Sequence, residues 1–206
     1  DGLYNYYFQY VKDNYPLLRP VLWLFPKCDK PKGIGQLEKV SYNAFYTRTE
    51  ARYFLLQIYG MENMNERAYE LSKYTHETYP DNPFFHRFHA RSAFVAGRVA
   101  EAEKEAKGIL QKIEEHYPGY EGVSGRYASY ILGYYAFNYN RDYAEAKKYY
   151  QKTIDFATLT NSTKSGYYLS SKLTLGKIAS MEKDYDKAID YFKEVLDDSE
   201  RKSSQH

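Results

Sequence analysis

Over most of the chain, apolar residues recur at intervals of three and four positions, a spacing that places them on one face of an α-helix. Near the carboxyl end, Tyr185, Ala188 and Phe192 follow this spacing and are surrounded by charged residues. A second apolar face precedes them within residues 165–182. The pattern predicts a chain built from amphipathic helices, each of which buries one face.

Short breaking sequences separate the predicted helices. Pro80 and Pro83 lack a backbone N–H, and Asn82 is biased away from helical geometry because a proline follows it. A helix over about 64–79 must therefore end there, and another must begin. Gly97 is expected to form the turn of the next helix pair.

The predicted helix pairs repeat along the chain. The segment that begins at Asp142 returns in similar form from Asp184, and a Leu-Gly pair precedes each copy, at Leu132–Gly133 and Leu175–Gly176. A helical hairpin that recurs cannot bury its apolar face alone, so it stacks on its neighbours. Small residues spaced 34, 44 and 42 positions apart begin the second helices of four pairs: Ala68, Ala102, Ala146 and Ala188.

Residues 1–48 are less regular. An apolar passage over 17–25 is interrupted and flanked by prolines, and a helix resumes near Lys32 and runs to about Asn43. We interpret this region as an irregular first unit with a Pro-rich insertion. The segment around Trp23 is expected to pack over the exposed end of the array, and contact with a membrane surface is the alternative.

Composition narrows the classes of partner. The formal net charge is +2, and no long run carries a single sign, so we predict no nucleic-acid partner. No stretch approaches about 18–20 apolar residues, so no membrane span is predicted. The chain begins inside a predicted helix without a Met. We therefore expect a piece of a longer protein, and an extracytoplasmic location is favoured if that protein is exported by a bacterium.

These features resemble the tetratricopeptide repeat family. Its pattern has Leu-Gly at positions seven and eight of a unit, a small residue at position twenty, an aromatic residue at twenty-four and a Pro near thirty-two. The unit counted from Leu169 fits this pattern. The units counted from Thr49 and Pro83 depart from it, with Leu56 and Ala90 in the glycine position. In this last unit, the residues that match the family pattern are Leu175, Gly176, Ala188 and Phe192.

The unit counted from Arg126 also departs from the pattern, because Ala146 comes one residue late. The resemblance implies an all-α, right-handed superhelix of about five helix pairs. Four of these would be regular units within residues 49–206, at about 49–82, 83–118, 126–160 and 165–202. The glycine and proline order of the first region also resembles large family members from Bacteroidetes-type bacteria.

The resemblance further implies that the first helix of each unit lines a concave groove. Arg87 and Arg91 would lie one turn apart beside aromatic rings, an arrangement that suits a peptide with a carboxylate and apolar anchors. The alternative is that many of the tyrosines pack between helices. The positions implied for the groove are Tyr53, Gln57, Phe84, Arg87, Arg91, Phe94, Tyr127, Tyr130, Tyr134, Phe137, Asn138, Leu173 and Lys177.

We therefore predict a non-catalytic scaffold that binds a protein or peptide and belongs to a larger protein. One alternative is capture of a carbohydrate or another small ligand on stacked tyrosines, and another is a purely structural or self-associating repeat. No helix carries a converging acid–base pair, so neither an enzyme nor a cofactor is predicted. His86 and His89 supply only two clustered donors, whereas zinc takes three or four, so structural histidines are favoured over a metal site.

Overall fold

The structure of the protein, a computed structural model, describes residues 1–203 and the side chains of residues 1–199. Eleven α-helices and no strand occur within the described residues. The last three residues of the predicted repeat region, 204–206, lie outside them. The helices are α1 (Gly2–Asn14), α2 (Arg19–Leu22), α3 (Lys30–Asn43), α4 (Arg48–Met61), α5 (Asn65–Thr78), α6 (Pro83–Val95), α7 (Val99–Glu114), α8 (Gly122–Tyr135), α9 (Tyr143–Leu159), α10 (Gly166–Met181) and α11 (Tyr185–Ser203).

The chain divides into two compact units, and the second begins at His76, in the last turn of α5. In the first unit, α1 packs against α3, and α3 packs against α4. Tyr6 is fully buried there, and its hydroxyl donates a 2.7 Å hydrogen bond to Glu62 Oε1. The apolar core of this unit joins residues from α1, α3, α4 and α5: Tyr6, Ile34, Leu37, Leu55, Ile58, Tyr59 and Ala68.

The insertion between α1 and α3 corrects one expectation from the sequence. Trp23 is 81% exposed and Leu17 is 94% exposed, so these residues do not pack over the end of the array as expected. Within the segment, the Phe25 ring contacts the Phe8 ring of α1, with 5.4 Å between their centroids. Its prolines allow only a 3-10 turn at Pro16–Leu18 and the four-residue helix α2. Neither element is long enough to turn an apolar face back onto the core.

In the second unit, α8 packs against α9, and α10 packs against both α9 and α11. Gly133 and Gly176, the glycines of the two Leu-Gly pairs, allow close approach between paired helices. A Cβ atom at Gly133 would lie 3.1 Å from the Tyr150 ring, and one at Gly176 would lie 2.6 Å from the Phe192 ring. No helix among residues 1–203 is both long and apolar enough to cross a membrane.

Three of the four turns between paired helices share one backbone geometry. In each of these three turns, a backbone N–H donates a hydrogen bond to the carbonyl oxygen of the residue five positions earlier. The bonds run from Met64 to Tyr59, from Arg98 to Ala93 and from Asp184 to Ala179, at 2.8–2.9 Å. Such a bond satisfies a carbonyl group at the helix end and needs a left-handed residue before its donor. In these three turns the left-handed residues are Asn63, Gly97 and Lys183, and Arg141 takes the same place in the fourth turn.

The turn after α8 differs from the others by one residue. The equivalent N–H, of Asp142, bonds to the carbonyl of Ala136, six residues earlier, and the intervening Ala136–Asn140 segment is π-helical. A π-turn accommodates one extra residue within a helix. It therefore explains why Ala146 comes one residue late against the family pattern.

We expect Lys183→Gly to stabilise the protein slightly. Lys183 has φ of 65°, a geometry that strains an L-residue but not glycine. The gain should be about 0.5–1 kcal/mol in the free energy of unfolding, measured by urea denaturation. Lys193→Gly is the control, because Lys193 lies inside α11 and its replacement should cost about 1 kcal/mol. Equal effects of the two substitutions would contradict the left-handed assignment.

Candidate functional site

Helices α6, α8 and α10, the first helices of their pairs, carry most of the predicted groove residues. They lie in the second unit, where α8 packs against both α6 and α10. Asn82 starts α6 by accepting hydrogen bonds from the N–H groups of Phe84 and Phe85, and Ser165 starts α10 by accepting one from Tyr168. The caps fix where each helix begins, and hence which side chains share a face.

Arg87 joins α6 to α8. Its guanidinium carbon lies 5.4 Å from the centroid of the Phe84 ring and 5.8 Å from that of Tyr127. Its Nη1 atom donates a 3.2 Å hydrogen bond to Ser124 Oγ. The half-buried guanidinium is thus held between two aromatic rings, where cation–π attraction fixes its position.

Tyr167, at the start of α10, is the centre of the aromatic contacts. It is not among the groove residues predicted from the sequence. Its ring stacks on Tyr130 at 4.3 Å between centroids and meets the edge of Tyr127 at 5.0 Å. Burial raises the pKa of the Tyr167 hydroxyl, and the neighbouring Arg91 guanidinium partly opposes that rise. Counting the last unit from Leu169 left Tyr167 outside it, although Ser165 is a recognisable capping residue two positions earlier.

Phe94 continues this face towards the end of α6. Its ring meets the edge of Tyr134 at 5.0 Å and that of Tyr130 at 6.2 Å. Burial also raises the pKa of the Tyr130 hydroxyl. We name the whole set the aromatic–arginine cluster: Phe84, Arg87, Arg91, Phe94, Tyr127, Tyr130, Tyr134 and Tyr167.

The other predicted groove residues do not join this cluster. Phe137 packs against Tyr143 and against the apolar core that the helices from α8 to α11 form together. Lys177 is exposed. The side-chain amide of Asn138 donates to the backbone carbonyl of Tyr134, on its own helix. The remaining predicted residues are Leu173, which is exposed on α10, and Tyr53 and Gln57, which lie on α4 in the first unit.

The first unit holds a cavity of about 640 Å³ that the sequence did not predict. Tyr59 and Arg67 both donate to Glu38 Oε1 in its wall, at 2.7 and 3.0 Å. The Arg52 guanidinium lies 4.6 Å from the centroid of the Tyr74 ring. The lining residues are Glu38, Ser41, Tyr42, Arg52, Leu55, Tyr59, Glu66, Arg67, Glu70, Leu71 and Tyr74.

Both histidines singled out in the sequence are buried and lie beside carboxylates. His89 Nε2 lies 3.1 Å from Glu101 Oε1, whereas His86 Nε2 lies 3.1 Å from Glu105 Oε2. Burial lowers the pKa of both imidazoles. Burial opposes the charge on Glu105, but its interactions with nearby histidines and Lys104 outweigh that effect and lower its pKa.

Comparison with known proteins shows which part of the chain matches a repeat family and which solved structure has a similar fold. Residues 127–201 match the model of the tetratricopeptide repeat family. Among solved structures, the chain is similar to TPR-like repeats of a kinesin light chain from Podosopora anserina, with a TM-score of 0.54 and 14% identity. The alignment covers 84% of this chain and 88% of that one. No curated protein matched the chain.

These comparisons confirm the resemblance read from the sequence. The structural match, which extends beyond the region of the family match, supports the fold of the whole alignment but not a shared partner. The boundaries of the individual units stay a prediction. The chain therefore has a tetratricopeptide-like all-α fold, and its residues 127–201 match the tetratricopeptide repeat family.

Proposed function

We propose that the chain is a non-catalytic scaffold that binds a protein or peptide through the aromatic–arginine cluster. Tetratricopeptide repeats are generally protein-interaction scaffolds. The observation that carries the proposal is the placement of Arg87 and Arg91 on successive turns of α6, against aromatic rings of α8 and α10. Both arginines are half-buried, as are the rings around them.

This environment prepares the arginines for a carboxylate. A guanidinium that is already held in place loses little freedom when it forms two parallel hydrogen bonds to a carboxylate. The surrounding Phe and Tyr rings supply contact area for apolar anchors at low entropic cost. The ligand class that fits is a peptide segment with an acidic side chain or terminal carboxylate beside aromatic or aliphatic residues.

The aromatic contacts favour a peptide over a sugar. Tyr130 and Tyr167 stack on each other with only 26° between their planes, so one face of each ring is already covered. A sugar-binding platform would need ring faces open to the ligand. Carbohydrate capture and self-association stay alternatives predicted from the sequence, as does the expectation that nucleic acid is not a partner.

We expect the double variant Arg87→Glu/Arg91→Glu to lose peptide binding at least tenfold, because reversing the charge repels the acidic group that the arginines would hold. Random peptides selected on the wild-type chain by phage display should be enriched in acidic residues next to aromatic or aliphatic ones. Dissociation constants of the selected peptides, measured by fluorescence polarisation, give the comparison.

The matched control is Lys148→Glu/Lys193→Glu, which makes the same change in net charge on α9 and α11, the second helices of their pairs. It should bind the selected peptides as the wild type does. Equal binding by both double variants would contradict the proposal. So would failure to select any peptide while a glycan array gives specific binding.

A further inference from the structure

The last turn of α5, the beginning of α6 and the middle of α7 bring together three potential ligand atoms in the second unit. Nε2 of His76 lies 3.2 Å from Glu105 Oε2, and Nε2 of His86 lies 3.1 Å from the same oxygen. The three atoms lie within 4.8 Å of one another. We propose that His76, His86 and Glu105 bind a divalent transition-metal ion, with zinc as the best fit.

The spacing suits tetrahedral zinc. With Zn–N of about 2.0–2.1 Å and Zn–O of about 2.0–2.2 Å, neighbouring ligand atoms in a tetrahedron lie roughly 3.3–3.5 Å apart. The two nitrogen-to-oxygen distances at Glu105 are close to this value. The rings of His76 and His86 stack with 4.4 Å between their centroids and 17° between their planes, so they must tilt for both Nε2 lone pairs to point at one ion. Two histidines and one carboxylate are also a donor set that zinc takes, with a water in the fourth position.

The hydrogen bonding of the His86 side chain is compatible with such an ion. His86 is only 3% exposed, and its buried Nε2 atom has no hydrogen-bond partner despite lying close to Glu105. His86 Nε2 thus lies near the Glu105 oxygen without the alignment of a hydrogen bond, and its lone pair stays available to an ion. An unpartnered buried nitrogen is otherwise costly.

The other ring nitrogen of His86 is already fixed. Its Nδ1 atom lies 3.0 Å from the Tyr120 hydroxyl, which can accept the Nδ1–H hydrogen and leave the Nε2 lone pair free. Metal-binding histidines are usually oriented by such a second contact. Lys112 Nζ, 3.5 Å from the same oxygen, supports the hydroxyl in turn.

Electrostatics favours a cation at this position. The Glu105 carboxylate is buried, and the nearest lysine, Lys104, reaches only its other oxygen, Oε1, at 3.2 Å from a side chain that is 82% exposed. Oε2 therefore faces two imidazoles without a fixed cation beside it. The His76 side chain keeps 16% exposure, which gives an ion a route from solvent.

The test uses the whole chain, freed of metal with a chelator and then titrated with zinc chloride in a calorimeter. We expect one zinc ion per chain with a micromolar or lower dissociation constant. His76→Gln and Glu105→Gln should each weaken zinc binding at least tenfold, because each removes one of three ligands. His116→Gln is the control, since this exposed histidine lies away from the three ligands.

A spectroscopic measurement keeps the test valid if a variant fails to fold. On the wild-type chain, zinc should shift the imidazole nitrogen NMR signals of His76 and His86 and leave that of His116 unchanged. Absence of zinc binding would overturn the proposal. So would binding that is equally strong in folded His76→Gln, or zinc shifts confined to other histidines.

Discussion

Gly33→Ala is expected to destabilise the first unit by at least about 2 kcal/mol, although alanine is the better helix former. A Cβ atom at Gly33 would lie 2.6 Å from the backbone nitrogen of Tyr6 and 2.8 Å from the carbonyl oxygen of Gly2. These are backbone atoms, so the clash is relieved only if α1 and α3 move apart. Urea denaturation followed by circular dichroism should show a lower midpoint and earlier loss of this unit.

Gly35→Ala provides the control within the same helix. Gly35 is exposed, and a Cβ atom there would meet nothing within 4 Å, so only the helix propensity changes. The expected result is a gain of about 0.5–1 kcal/mol in the free energy of unfolding. If both substitutions stabilise the chain, the close crossing of α1 and α3 at Gly33 is wrong.

The sequence alone predicted helices well where nearby residues determine where a helix begins and ends. The predicted ranges 64–79 and 165–182 differ from α5 and α10 by one residue at each end. Apolar periodicity identifies such helices, and residues such as Ser165 and Asn82 then start them by capping. Both signals lie within a few residues of the element they determine, so no tertiary information is needed.

The candidate sites could be predicted only in part. The family resemblance implied that Arg87 and Arg91 share one face of a helix, but the contact of Arg87 with Tyr127 depends on how two separate helices lie side by side. The approach of His76 and His86 to Glu105 depends on three helices at once. Such contacts follow from the packing of helix pairs, which a periodic pattern does not specify.

The departures from the family pattern also gain a physical reason from the structure. Where the eighth position is Gly133, the extra residue of this unit moves the aromatic position from twenty-four to twenty-five, and the Tyr150 ring there packs against the glycine. In the unit counted from Thr49, the larger Leu56 takes the glycine position and the small Ser72 takes the aromatic one, and both are buried. A larger residue in one position thus accompanies a smaller residue in the other, as close packing requires.

This size relation predicts strong coupling between Gly133 and Tyr150. Gly133→Leu should cost about 3 kcal/mol, because its side chain would overlap the Tyr150 ring, which is only 2% exposed. Tyr150→Ser should cost about 3–5 kcal/mol through the cavity that it leaves. The double variant reproduces the Leu56–Ser72 combination and should therefore lose about 1–3 kcal/mol less than the sum of the two single variants.

The control pairs Gly133→Leu with Phe156→Ser. Phe156 lies against Gly125, two helical turns from Gly133 along α8, so the two substitutions share no contact and their costs should add within about 0.5 kcal/mol. Urea denaturation of all six chains measures both cycles. If the Gly133–Tyr150 pair is also additive, volume exchange between these two positions does not explain the degenerate units. If only the Gly133–Tyr150 pair is coupled, this fold tolerates a larger residue in the glycine position when the side chain that faces it is smaller.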